Sequence, residues 1–514
     1  MNPAELEVLR TAFAFVPEEM GVALRRTAYS PNIKERMDAS CALFDPAGRM
    51  VAQAEHIPVH LGAMPVTMEA FLAAFRGDLW EGDQLIANDP YRGGTHLPDI
   101  TLAKPVFHGA RLVGFVANRA HHADIGGTAP GSMPVGARTL EDEGVVIAPA
   151  KWMSRGNEVA VVRDMLRGMR NPRERLGDLR AQVAANELGA RRLSRLHEKY
   201  GRETCEAFAA EILAYSERRV RAALAGAPHG TYRSEDALDD DGVGQEPVWI
   251  RCAVTLGDEV RVDFAGTDAQ VSGNVNAPLA VTLSATYYVV RCLSDPGAPP
   301  NAGCYAPIRV AAPEGSLLNP RPPAAVAAWN VETSQRIVDV LFLALAAAFP
   351  DRVPAQSQGT MNNVLIGGPD FAYYETIAGG EGALPYRPGM GGVHTHMTNT
   401  RNTPVEALEL AYPIRVEEYR LLPGSGGTGR FPGGDGVRRA LRFLGERGTL
   451  TVVSDRRERP PKGLAGGGDA RCGRNLLRQE GAETLLPSKA TRELRGGDVV
   501  VIETPGGGGW GAYK

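Results

Sequence analysis

No CxxC pair occurs among the six cysteines of this 514-residue chain, which are Cys41, Cys205, Cys252, Cys292, Cys304 and Cys472. That scatter argues against a zinc ribbon and a disulfide framework, and fits a reducing cytoplasm. Long apolar runs are also missing. The longest, VLFLALAAAF at 340–349, is about half of what a membrane span needs. The N-terminal stretch MNPAELEVLRTAFAF has acidic residues early and lacks the basic-then-apolar order of a signal peptide. A net charge of −4 gives no reason to expect nucleic acid or an anionic membrane as partner. There is no G-x-S-x-G elbow and no cysteine in a nucleophile context. LPGSGGTGRFPGGDG, 422–436, lacks the Lys-Ser/Thr and the following helix of a phosphate-binding loop, so it reads as β-turn glycine.

What the chain does have is ordinary globular composition, 43% hydrophobic and 23% charged, with 60 Gly and 37 Pro dispersed among apolar runs as turns. Its length suits two to four domains. Residues 3–28 look helical, with a break expected at Pro17. CALFDPAGRMVAQ resembles a hairpin around DPAG, and EGDQLIANDPY and ARLVGFVANRAHH resemble strands ending in polar loops. Between 162 and 226 apolar residues recur at helical spacing, predicting two long helices. PVWIRCAVTLGDEVRVDFAG reads as two strands joined at GDE. LAVTLSATYYVVRCL and VETSQRIVDVLFLALAAAF read as buried helices, and short strands dominate the last 130 residues. The expected fold is therefore mixed α/β (α+β) and multi-domain. Its regions are a metal-bearing α/β part at 1–160, a helical segment at 161–230, a central α/β part at 231–370 and a β-rich part at 371–514.

Histidine is unevenly distributed. Six of ten fall between 56 and 122 (His56, His60, His96, His108, His121, His122), and His394 and His396 form a further pair. Two H-x-x-D arrangements, His96–Asp99 and His121/His122 with Asp124, each end an apparent strand beside a double glycine, Gly93-Gly94 or Gly126-Gly127. Two imidazoles and a carboxylate suit a divalent metal and leave positions open for water or substrate. The same spacing also serves an orienting hydrogen-bond network, or arises by chance. His108 reads as exposed in the turn FHGAR, and His197 and His229 as surface residues. His394 and His396 would share one strand face, as pocket lining or as structural hydrogen-bonding groups. SDRRERPPKG, 454–463, reads as a solvated basic loop, with an anion or partner contact as the lesser alternative. TPGGGGWG, 504–511, reads as a tight loop or an interface element.

NDPYRGGTHLPDITLAKPVF, ANRAHHADIGGTAPGSMP and GVHTHMTNTRNTPVEALE, in that order, resemble the hydantoinase B/oxoprolinase family. RRTAYSPNIKERMDASCALFDPAGRMVAQAEHIPVHLGAMP and LNPRPPAAVAAWNVETSQRIVD extend the resemblance over nearly the whole chain. The family includes N-methylhydantoinase, 5-oxoprolinase and ketone carboxylases of the acetone carboxylase type. The resemblance implies a B-type subunit acting with an A-type subunit of actin-like ATPase fold, which uses ATP to phosphorylate an amide or enol oxygen. The B-type subunit would hold a divalent metal (Mn, Zn, Fe or Co) and complete hydrolysis of a hydantoin, N-methylhydantoin or 5-oxoproline-type ring. By the family motif His96, Asp99 and His121 are ligands. Asp124 is then an orienter or further ligand with His122 as reserve, and these two are the catalytic candidates. His56, His60, His394 and His396 are separate candidates for a substrate pocket. No ATP-binding signature is present, so ATP would act through the partner, in a hetero-oligomer such as a dimer of heterodimers. The alternatives are a ketone carboxylase subunit (acetone or acetophenone type) and a metal-bearing scaffold without catalysis.

Overall fold

The computed structural model describes residues 2–54, 57–328 and 331–512. Helix α1 (Pro3–Thr27) opens with an Asn2–Glu5 capping box and carries Arg25 and Arg26 in its last turn, charges that complement its dipole. Pro17 is buried inside this helix and does not end it, contrary to the expected break. Packing of Leu9, Phe13, Val16, Met20 and Leu24 in one core outweighs the lost backbone bond.

The first sheet is antiparallel throughout, in the order β2-β1-β5-β4-β3-β6-β7. Its strands are β1 (Ala39–Phe44), β2 (Met50–Ala54), β3 (Gln84–Ala87), β4 (Asp99–His108), β5 (Arg111–His121), β6 (Ala150–Ser154) and β7 (Asn157–Glu158). Successive residues alternate between two cores. Cys41 and Leu43 join Val16, Met20 and the long helices α3 (Pro172–Tyr200) and α4 (Arg202–Leu224), while Ala42 and Phe44 join the larger core across the sheet. Helix α2 (Ala63–Ala74) packs in that larger core. The hairpin around Asp45–Arg49, the strand-to-loop segments and the two long helices thus stand where their periodicity placed them.

A second sheet, β11-β10-β9-β8, comprises β8 (Gly230–Leu238), β9 (Val248–Leu256), β10 (Val260–Asp263) and β11 (Ile308–Ala311). Helices α5 (Leu279–Leu293) and α6 (Thr333–Leu345) share its core. The C-terminal part is a two-sheet sandwich. One sheet, β13-β12-β16-β19, comprises β12 (Asn363–Gly367), β13 (Ala372–Thr376), β16 (Arg447–Val453) and β19 (Lys489–Arg495). The other, β14-β15-β20-β17-β18, comprises β14 (Ile414–Leu421), β15 (Val437–Phe443), β17 (Arg474–Gln479), β18 (Ala482–Leu486) and β20 (Val499–Glu503). Ile366, Leu450 and Val452 of the first meet Phe443, Val500 and Ile502 of the second. Among the described residues no helix is long and apolar enough to cross a membrane.

Three local expectations are corrected. The 454–463 segment is no solvated loop at its start. Ser454, Asp455 and Arg456 are fully buried, because Arg456 reaches Asp339 Oδ2 at 2.6 Å and Asp236 Oδ2 at 2.9 Å. His197 is buried in α3, with its ring beside His108, whereas His108 and His229 are exposed as expected. The glycines of 422–436 and 504–511 do more than turn the chain. They lie in mutual backbone contact, with Gly427 N donating to Gly507 O (2.8 Å) and Gly507 N to Gly434 O (2.9 Å), and they also meet a third glycine-rich loop, where Gly509 N donates to Gly468 O (2.9 Å). A Cβ on Gly433 would lie 1.8 Å from Gly507 O, and one on Gly507 2.0 Å from Glu381 O.

Candidate metal centre

The hairpin β4–β5 explains why residues 22 apart in sequence meet. Its register sets Asp99, the first residue of β4, directly opposite His121, the last of β5. His96 sits in the loop leading into β4. That loop turns at Gly93, whose φ of 87° is left-handed, and it packs so closely that a Cβ there would lie 2.3 Å from Thr67 N. A Cβ on Gly94 would lie 2.4 Å from Asn88 O. The buried Arg119 fastens the same loop, donating to Gly93 O (3.0 Å), Thr67 Oγ1 (2.7 Å) and Thr101 Oγ1 (2.8 Å). The double glycine therefore makes room, and no helix is needed to bring His96 to Asp99.

Three side chains converge. His121 Nδ1 lies 3.0 Å from Asp99 Oδ1 and 3.0 Å from His96 Nε2, and His96 Nε2 lies 3.2 Å from Asp99 Oδ1. All three residues are buried, and their ligating atoms lie within 4.8 Å of one another. Asp99 Oδ2 is engaged by Thr95 Oγ1 and lies 3.5 Å from His60 Nε2, while His60 Nδ1 meets Ser40 Oγ at 2.9 Å. Behind His96, Nδ1 meets Ala327 O at 3.3 Å, and Glu143 Oε1 accepts from Ala327 N and Val326 N at 2.7 Å each. Burial opposes ionisation of Asp99, but the charge of His96 and hydrogen bonds from His121, His60 and His96 hold its carboxyl well below the usual range. Burial likewise opposes a charge on His96, yet Asp99 raises its pKa, whereas for His121 burial prevails and lowers it.

A divalent cation fits this donor set. His121 Nε2 is buried without a hydrogen-bond partner among the described residues, and two imidazole nitrogens crowd one carboxylate oxygen. A cation taking those two nitrogens and the carboxylate oxygen would turn that crowding into coordination, and His121 Nε2, at the far side of its ring, is a separate unsatisfied atom.

His122, the residue just after β5, faces the other way, toward α3, with Nε2 2.9 Å from Gln182 Oε1. Burial pushes its pKa down to about 4. Asp124 accepts from Gly126 N (2.8 Å), Gly131 N (2.9 Å) and Arg170 Nη1 (2.9 Å), so its bonds go to its own loop and to Arg170. His56 lies outside the described residues. His394 and His396 do not sit on a strand face. They lie in a loop after the Gly379–Val393 bridge, and His396 adopts φ 58°, which turns it away from the direction His394 takes. Both ring nitrogens of His394 are buried without a partner among the described residues, and burial with the nearby Arg36 charge lowers its pKa to about 4. His396 packs on Phe342 and Tyr288, and burial takes its pKa to about 4.

Sequence reading missed two residues here. The ring of Tyr374 stacks on His121 with centroids 4.7 Å apart and an interplanar angle of 23°. The Arg36 guanidinium lies 4.6 Å from the same ring's centroid, and Tyr374 Oη donates to Asn363 Oδ1 at 3.0 Å. Neither stands in a metal-ligand or nucleophile spacing, and β13 brings Tyr374 to the site from far along the chain.

Known proteins resemble this chain over its whole length. The hydantoinase B/oxoprolinase family model matches residues 2–513. An uncharacterised protein of Methanocaldococcus jannaschii is 42% identical, over 100% of this chain and 91% of its own length. A 5-oxoprolinase of Dictyostelium discoideum is 40% identical over 99% of this chain, which spans 40% of that longer protein. The B-type component of a putative D-/L-hydantoinase from a Pseudomonas species is 33% identical, over 99% of this chain and 90% of its own length. Among solved structures, the ATP-dependent caprolactamase of Pseudomonas jessenii superposes with a TM-score of 0.94 at 29% identity, covering 100% of this chain and 91% of that one. Nucleotide-free acetone carboxylase shares the fold, with a TM-score of 0.87 at 20% identity over 99% of this chain and 76% of that one. The chain belongs to the hydantoinase B/oxoprolinase family.

Proposed function

We propose that this chain is the B-type component of a two-component, ATP-dependent hydrolase that opens a cyclic amide of the hydantoin, N-methylhydantoin or 5-oxoproline type. The observation that carries the reading is the buried meeting of His96, Asp99 and His121, where His121 Nδ1 and His96 Nε2 lie 3.0 and 3.2 Å from one oxygen of Asp99. The names of the relatives, 5-oxoprolinase and a component of a D-/L-hydantoinase, support hydrolysis of a cyclic amide. A relative of which this chain spans 90% is the B component of a putative D-/L-hydantoinase, which supports an A-type ATPase partner that provides ATP-dependent activation. We place the pair in the cytoplasm, as a dimer of heterodimers, and divide the chain at 160, 230 and 370.

His96, Asp99 and His121 would hold a divalent metal, with Mn, Zn, Fe and Co all matching the donors. Such a metal supplies Lewis acidity to a reacting amide, whose carbon is a poor electrophile until its oxygen is activated. Around it this chain's residues have separate tasks. Thr95 and His60 hold the second oxygen of Asp99, so that one oxygen stays aimed at the two histidines. Ser40 fixes the His60 ring. Glu143, through the Ala327 peptide, fixes His96 from behind. Asp124 and His122 act one layer back, pinning the 124–131 loop and the end of β5 against α3. His394, with two unpartnered and uncharged ring nitrogens among the described residues, is suited to hydrogen-bond a neutral amide, and with His60 we assign it to the substrate pocket.

The test is to purify the chain with its A-type partner, measure metal content and assay ATP-dependent ring opening over a panel of cyclic amides. His96→Ala is expected to lose both metal and turnover. Full activity and full metal in that variant would sink the reading. Turnover of a ketone with bicarbonate, and of no cyclic amide, would reassign the chain to a carboxylase.

A further inference from the structure

Helix α1 is apolar on two sides. One side, Leu9, Phe13, Val16, Met20 and Leu24, is buried in the core beneath the first sheet. The other carries Val8, Phe15 and Val22, which are 57%, 60% and 43% exposed. These three are spaced by seven residues, so they stand in one nearly straight line along the helix. The next position in that series is Tyr29, just beyond the helix, 63% exposed. A helix that is hydrophobic on both sides ordinarily has a neighbour on each. At the N-terminal end the line opens into a groove of about 740 Å³ between α1 and α4, lined by Asn2, Glu5, Val8, Tyr200, Glu203 and Ala207.

The line reads the same in both directions about Phe15. In an antiparallel pairing centred there, Phe15 meets its own copy, and Val8 of each helix lies level with Val22 of the other. The charges follow the same symmetry at the ends of α1, where Glu5 in the first turn and Arg25 and Arg26 in the last set Glu5 beside the Arg25–Arg26 end of the other helix. Between the ends, Glu7 is paired with Arg10 and Glu19 with Arg192, and Glu18 lies level with Ala12 of the other copy. The opposed dipoles also suit an antiparallel arrangement. An isologous contact of this kind joins two copies by a two-fold axis and closes on itself. A parallel pairing would instead align acidic with acidic and basic with basic ends.

We propose that α1 is a self-association surface, pairing antiparallel with α1 of a second copy of this chain about a two-fold axis through Phe15.

Cysteine coupling distinguishes this geometry from any other dimer. On the two-fold axis Phe15→Cys lies against its own copy and is expected to give a covalent dimer under mild oxidation. Val8→Cys alone is not expected to couple, because in the paired helices it stands about 21 Å from its own copy, far beyond the roughly 3.8 Å between the Cβ atoms of a disulfide. Val8→Cys with Val22→Cys in one chain is expected to couple again. The unmodified chain, which already exposes Cys292, is the control. By light scattering the full chain is expected at twice its single-chain mass, and Phe15→Arg at single-chain mass with an unchanged circular dichroism spectrum. The same coupling pattern is expected when the chain is co-purified with its A-type partner. A single-chain mass for the unmodified protein at every concentration would overturn the proposal, and so would a dimer that survives Phe15→Arg. If Phe15→Arg leaves the mass of the isolated chain unchanged but abolishes co-purification of the A-type partner, the surface belongs to that partner and the proposal fails.

Discussion

Two buried polar clusters differ in whether their charges are answered from within the chain. Near α6, Arg336 reaches Asp236 Oδ2 (3.0 Å) and Asp455 Oδ1 (2.8 Å), Arg456 reaches Asp339 Oδ2 (2.6 Å), and Lys489 approaches Asp455 Oδ2 (3.5 Å). Each of these acids has a base and each of these bases an acid, although Arg336 Nε and Arg456 Nε are themselves buried without a partner among the described residues. At the end of the β4–β5 hairpin, two histidines and one aspartate crowd together and leave His121 Nε2 without a partner among the described residues. The first cluster ties α6, the second sheet and the C-terminal sandwich together. The second resembles a socket, incomplete in the way a ligand site is. A closed charge network serves cohesion, and an open one serves chemistry.

Variants that break either cluster should separate these roles. Arg456→Leu leaves Asp339 buried with its neighbours unbalanced, and removing one partner of a buried ion pair costs about 3–5 kcal/mol. Urea unfolding should register that loss, with metal content in the surviving folded fraction unchanged. His96→Ala should do the reverse. Metal stoichiometry falls toward zero, and a chelator that lowers the melting temperature of the unmodified chain no longer shifts that of the variant.

A pH series sharpens the comparison further. Burial, then the neighbouring Asp455 charge, raises the Glu332 carboxyl to about 8, and burial with Asp239 raises Asp455 to about 7. A carboxyl whose folded pKa is raised binds its proton more tightly when folded, so its contribution is greatest at low pH. That contribution declines as pH climbs from the unfolded value near 4.5 to about 8. Glu332→Gln should flatten this decline, seen as a smaller difference in unfolding free energy between pH 5.5 and pH 8.5 than in the unmodified chain. The smallest effect on stability is expected for His394→Ala, within about 1 kcal/mol, because no hydrogen bond among the described residues is lost. A raised KM for the cyclic amide with metal content unchanged would mark it as pocket lining.

How much of this could be read beforehand follows from distance along the chain. The hairpin that presents Asp99 and His121 is local, and its alternation and paired H-x-x-D motifs were legible. Arg36 and Tyr374, separated by 338 positions, meet through tertiary packing that no spacing records. The SDRRERPP segment looked solvated because the acids that bury it, Asp236 and Asp339, lie more than a hundred residues away. His394 and His396 suggested a strand because two-residue spacing says nothing about the left-handed φ at His396. The glycine segments looked like turns because a glycine needed for conformation and one needed for clearance are the same letter.

That last ambiguity has a genetic consequence. Every missense change at a glycine codon adds at least a Cβ, and at Gly433, Gly434, Gly507, Gly508 and Gly509 that carbon would fall about 2 Å from a backbone oxygen or carbon of another segment. A saturation library of this chain should therefore show blank columns along these loops as deep as those at His96 and Asp99. Such columns would mark close-packed backbone, and a reader looking only for chemistry would mistake them for a second active site.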